Sequence, residues 1–149
     1  MTEYPPMTPR EELNGLLNAA IDIALKLIAK HGSHIPFALV VRVNGERMNV
    51  AADNTEVHDG QILAQTVLQE VRGMIAKREL RAVAFARNID YKSATDRSHV
   101  DAIEVDLDHL QDRPVTCMLP YKIGTDQQPI PGELFAIEPR EQFFTNTSK

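Results

Sequence analysis

Between Leu13 and Ile28 apolar residues recur at a helical period, and Leu13, Leu16, Leu17, Ala20, Ile21, Ala24, Leu25 and Ile28 form one wide stripe. Ahead of the stripe, Thr8 and Glu11 have capping-box spacing. Pro9 takes the first helical position, where its missing N–H costs nothing. Lys30 and His31 suit the negative end of the helix dipole, and Gly32 suits a left-handed stop. The pattern predicts a helix over residues 9–31. The period then falls to two. Phe37, Leu39, Val41 and Val43 alternate with Ala38, Val40 and Arg42, and Arg47 to Ala52 return after Asn44-Gly45, the favoured dipeptide of a two-residue type I′ turn. That turn sets Val41 against Met48, Leu39 against Val50 and Phe37 against Ala52, all on one face. It also opposes Arg42 to Arg47, an unfavourable like-charge pair unless an acid sits nearby.

A polar stretch, Asp53 to Gly60, leads into a second helical stripe of Leu63, Val67, Val71, Met74 and Ile75 over residues 60–79, with Asp59 as cap. Gly73 lies inside it and weakens it by about 1 kcal/mol relative to Ala, which close packing of a neighbour would explain. Three strands are expected next, near residues 80–91, 99–109 and 115–123, joined by loops short enough for an antiparallel meander. In the first, Val83, Phe85, Arg87, Ile89 and Tyr91 share one face and Ala82, Ala84 and Ala86 the other. In the second, Ile103, Val105 and Leu107 alternate with Glu104, Asp106 and Asp108. In the third, Val115, Cys117, Leu119 and Tyr121 lie together. Residues 1–7 read as a loose lead-in. Beyond Gly124, Pro129, Pro131 and Pro139 predict an irregular arm, which Leu134, Phe135, Ile137, Phe143 and Phe144 should pack against the body.

The expectation is therefore a single α+β domain spanning residues 1–149, with two helices on a five-stranded antiparallel sheet. The element order α-β-β-α-β-β-β resembles roadblock and profilin-like folds, and that resemblance implies the strand order 2-1-5-4-3. Asp101-Ala102-Ile103 followed by Pro120-Tyr121 is also similar to a group of small uncharacterised bacterial proteins, for which no activity carries over.

Composition narrows the function classes. The chain has 149 residues, 43% hydrophobic and 25% charged, and these values suit a globular domain with its own core. A formal charge of −5 disfavours nucleic-acid and anionic-membrane partners. Cys117 is the sole cysteine, so no internal disulfide forms, and a buried thiol suits a reducing compartment. The N-terminal residues lack the basic and apolar regions of a signal peptide, and no apolar run is long enough to span a bilayer, so a cytoplasmic location is expected.

No P-loop, dinucleotide fingerprint, nucleophile elbow or H-E-x-x-H is present, and no cofactor is expected. His31 and His34 have an H-x-x-H spacing without further metal donors. Glu104, Asp106 and Asp108, spaced about 6–7 Å along one strand, read as a solvated acidic face rather than a converging metal site. If Phe85, Val105 and Cys117 share the core face, the meander brings Arg87, Asp101 and Tyr121 to one end of the sheet, flanked by Tyr91 and His99. That cluster is either a small-anion or carboxylate site or a buried ion pair closing the core. Ala82, Ala84 and Ala86 offer close approach to another element, and in the order 2-1-5-4-3 their strand is an edge, to be covered by the second helix or by a twin strand in a homodimer. Two readings follow: a non-catalytic protein-interaction module that self-associates through a sheet edge, or a small-anion binding protein or enzyme built on Arg87, Asp101 and Tyr121.

Overall fold

The computed structural model describes residues 7–32, 36–52, 59–92 and 99–144. Residues 1–6 of the expected 1–7 lead-in, residues 33–35 with His34 among them, residues 53–58 and 93–98 of the expected loops, and residues 145–149 of the arm lie outside them. Helix α1 spans Pro9–His31 and α2 spans Gly60–Ala76. The strands are β1 (Phe37–Arg42), β2 (Arg47–Ala51), β3 (Leu80–Lys92), β4 (His99–His109), β5 (Asp112–Ile123), β6 (Pro129–Pro131) and β7 (Phe135–Ile137). Both helix starts form as their caps predict. Thr8 Oγ1 accepts the Glu11 N–H at 3.1 Å while Glu11 receives the Thr8 N–H at 3.0 Å, and Asp59 accepts the N–H groups of Gln61 and Ile62. Gly32, at φ +85°, ends α1 in the left-handed conformation.

The sheet is antiparallel and wider than expected. Its order is β2-β1-β3-β4-β5-β6, with β7 also pairing with β5. All five expected strands are present, and the proline-containing arm adds two short ones. Prolines 129 and 131 are tolerated there because β6 is an edge strand, where a missing N–H breaks no ladder. The order 2-1-5-4-3 is not formed. Strand β3 lies between β1 and β4 and is an interior strand.

The hairpin is one residue longer in its loop than its sequence suggests. Arg42 N–H donates to Glu46 O at 2.8 Å, Gly45 N–H donates to Arg42 O at 2.8 Å, and Gly45 takes φ +96° while Asn44 does not enter the positive-φ region. This is the three-residue loop in which a turn is followed by a left-handed glycine. Val41 therefore faces Arg47, and Val40, not Val41, faces Met48. A one-residue slip moves side chains to opposite faces. Phe37, Leu39 and Val41 point at α1, while Ala38, Val40 and Val50 join the core under α2. Arg42 escapes Arg47 and pairs with Glu46 at 3.2 Å.

The helices thus cover opposite faces of the sheet. Under α1 lie Ala82, Ala84 and Ala86 of β3, Ile103, Val105 and Leu107 of β4, and Cys117, Leu119 and Tyr121 of β5. Under α2 lie Val83 and Phe85, with Phe143 and Phe144 from the arm. Neighbouring strands alternate in bulk: Phe37 pairs with Ala86 and Ala38 with Phe85, so each face stays level enough for a helix to rest on. Gly73 has a plainer setting than close packing, since no heavy atom lies within 4 Å of a Cβ built there.

Candidate functional site

The predicted polar cluster divides across the sheet. Asp101 does face Tyr121 across β4 and β5, but Arg87 pairs with Glu104 on the opposite face, because Ala86 rather than Phe85 sits beside Val105. Arg87 Nε contacts Glu104 Oε2 at 2.7 Å, and its guanidinium lies over the Phe85 ring. Tyr121 is buried and its hydroxyl donates to Asn88 Oδ1. Burial, then the nearby Asp101 carboxylate, pushes the phenol up to about 12. Asp101 itself is exposed and lies opposite Asp90. The backbones of Tyr91 and His99 continue the β3–β4 ladder, with Tyr91 opposite Val100 and Lys92 opposite His99; the side chains of Tyr91 and His99 lie outside the described structure. Ala82, Ala84 and Ala86 are fully buried beneath α1, and their small size lets that helix approach an interior strand.

The acidic face is where polar chemistry concentrates, and it is not solvated. Glu104, Asp106 and Asp108 are each 0% exposed. Alternation along β4 aims all three at the α2 side, where residues 140–144 cover them. Glu104 holds two arginines: Arg87 on Oε2 and Arg140 Nη1 on Oε1 at 2.9 Å. Asp108 Oδ2 accepts the backbone N–H groups of Phe143 and Phe144 at 2.8 and 2.9 Å, and its Oδ1 accepts that of His109. Thr116 Oγ1 donates to Asp106 Oδ1 and accepts the Arg140 N–H at 2.9 Å. From α2, Arg72 pairs with Glu141, donates to Gln142 O at 3.2 Å and stacks over Phe143 with 5.1 Å to the ring centre. The carboxylates that read as a surface stripe therefore fasten the arm.

Asp106 Oδ2 is the one buried side-chain polar atom without a partner among the described residues. Its carboxyl is pushed up to about 8, first by burial and then by the neighbouring Glu104 carboxylate, against the opposing effects of Thr116 and Arg87. Protonation of Asp106 satisfies that oxygen: as an acid it donates to Glu104, and two buried carboxylates then carry one negative charge.

A second cluster lies on the opposite face, under α1, where β4 ends at His109. Glu12 of α1 receives Arg81 bidentately, at 2.9 Å from Nε and 2.6 Å from Nη2, and lies 3.0 Å from His109 Nε2. His109 Nδ1 accepts the Gln111 N–H, so the ring keeps its proton on Nε2, directed at Glu12. Arg81 and, more weakly, His109 hold the Glu12 carboxyl below its ordinary range despite burial. Both ring nitrogens are engaged, which leaves no free base for proton transfer. Glu12 falls on the helical stripe, four residues before Leu16. An acid in that place was the sequence signal for a buried pair.

Beside β2 runs an open groove of about 520 Å³ toward α2, lined by Met48, Val50, Val67 and Met74, with Glu70 and Lys77 among its polar residues. Among the described residues no group of His, Cys, Asp and Glu is arranged to hold a metal ion, and no helix is long and apolar enough to cross a membrane. Comparison with protein-family models, curated proteins and solved structures finds no match, so the geometry alone carries the functional reading.

Proposed function

We propose that the chain is a non-catalytic interaction module that associates through the outer edge of β2, with a second copy of itself as the first partner. The carrying observation is the direction of the β2 backbone. The Arg42–Glu46 bond starts a ladder in which Met48 and Val50 turn their backbone groups toward β1, so Arg47, Asn49 and Ala51 turn theirs outward, where no described strand meets them. A strand added there gains a row of main-chain hydrogen bonds and sends alternate side chains into the groove between β2 and α2. Two copies related by a two-fold axis at Asn49 place Arg47 of one opposite Ala51 of the other, which keeps the arginines apart.

The small-anion reading loses its convergence. Arg87 lies across the sheet from Tyr121 and is 31% exposed beside a cleft at the start of α2, but Asp59 and Asp90 line the same cleft and oppose an anion.

Sedimentation velocity over a wide concentration range tests the interaction reading. The wild-type chain should show a concentration-dependent dimer. Asn49→Pro, which removes an outward N–H and no β1–β2 bond, should be monomeric and should melt as wild type does at concentrations where wild type is itself monomeric. A wild-type chain that stays monomeric throughout removes self-pairing. A proline variant that dimerises as strongly as wild type removes the β2 edge.

A further inference from the structure

We infer that the trough between α2 and the carboxylate face of β4 is a recognition site for an extended segment of the form Arg-x-x-Phe-Phe. Residues 140–144 of the same chain occupy it, and a partner segment of that chemistry binds there by displacing them.

The trough treats residues 140–144 as a receptor treats a peptide. These residues form no helix or strand, and their anchorage comes from side chains of the body. Asp108 grips two consecutive main-chain N–H groups, a contact that any non-proline residue offers. Thr116 accepts a third, from Arg140. Sequence preference comes from three further contacts. Glu104 takes the Arg140 guanidinium, Arg72 lies over the Phe143 ring, and both phenylalanines enter the apolar ground beside Ile75 and Leu80. Each of these contacts is made by a group on a rigid strand or helix, so the site persists when the segment leaves. The Glu104 and Asp108 carboxylates and the Thr116 hydroxyl thereby uncovered regain water.

Displacement is the governing cost. A short tether holds its segment at an effective concentration in the millimolar range, so a free peptide competes poorly with the intact arm. Weakening the arm while keeping the trough should reveal the site.

The probe is a fluorescently labelled peptide of sequence EPREQFF, matching residues 138–144. Arg140→Ala combined with Phe144→Ala should bind it at least tenfold more tightly than wild type. Adding Asp108→Asn should abolish that binding, and a peptide with its arginine and both phenylalanines replaced by alanine should not bind. A folded double variant with no affinity for EPREQFF overturns the inference. Should the double variant not fold, amide exchange in the wild-type chain decides. Peptide at several millimolar (about 5–10 mM), at or above the arm's effective concentration, should speed exchange at Phe143 and Phe144 while leaving Val105 unchanged, and unchanged rates at all three overturn it.

Discussion

Gly73 and Arg78 hold opposite kinds of backbone error at the end of α2. Gly73 is helical, with open space where a Cβ would stand, so Gly73→Ala should stabilise the protein by about 0.5–1 kcal/mol by restricting the unfolded chain. Arg78 has φ +58° and follows the helix cap; Glu79 N–H reaches back to Met74 O at 3.0 Å, the longer bond of a left-handed helix stop. Arg78→Gly should therefore gain up to about 1 kcal/mol, because glycine adopts that conformation without a Cβ clash. Urea midpoints measured for each variant check both, and a loss of stability in either contradicts the local geometry. Single residues were legible where their effect is local. Thr8, Asp59 and Gly32 do what their types and positions predict. Arg78 was not legible, since nothing in its side chain marks a left-handed residue.

Elements were legible in type and place more than in facing. Both helices and all five main strands were expected close to where they form, and β4 keeps its expected bounds. Register failed by one residue twice, at the hairpin and between β3 and β4, and for one reason. Phe37–Val41 is apolar at every position, and β3 carries alanines on one face and Val83 and Phe85 on the other, the mark of strands buried on both faces. Assigning the core to one face moved Arg87 to the wrong side and left the acidic face in water. Its true setting makes an asymmetric prediction. Glu104→Gln removes a buried charge and leaves Arg87 and Arg140, both partly exposed, free to turn to solvent. Replacing both arginines by methionine instead strands a carboxylate that is 0% exposed. The double arginine variant should lose about 3–5 kcal/mol and Glu104→Gln distinctly less, read from equilibrium denaturation. Equal losses would mean that Glu104 reaches water when its partners are gone.

The whole molecule has a carboxylate cluster on each face of its sheet, and the two titrate with opposite sign. Glu12 is depressed in the folded state, so its contribution is present above the ordinary glutamate range and disappears as pH falls. Asp106 is raised to about 8 from 3.8, so the folded chain holds a proton that the unfolded chain has released between those values. Stability from that proton is complete below pH 3.8, declines as pH rises, and is gone once pH passes about 8. The loss should be on the order of a few kcal/mol, since each tenfold difference in proton affinity between folded and unfolded chain is worth about 1.4 kcal/mol before the site relaxes. Asp106→Asn keeps a donor toward Glu104 and cannot ionise. Its stability should therefore match wild type below pH 3.8 and exceed it increasingly up to about pH 8, with a constant difference beyond. Urea denaturation at half-unit pH steps measures this, and parallel curves for the two proteins would place the proton elsewhere. The arm ties the effect to the trough. Glu104, the acceptor of that proton, also holds Arg140, so ionising Asp106 sets a second buried negative charge beside the arm's anchor. Amide protection at Phe143 and Phe144 should then fall ahead of the β4 core as pH rises, because the arm has an exit that leaves the sheet intact.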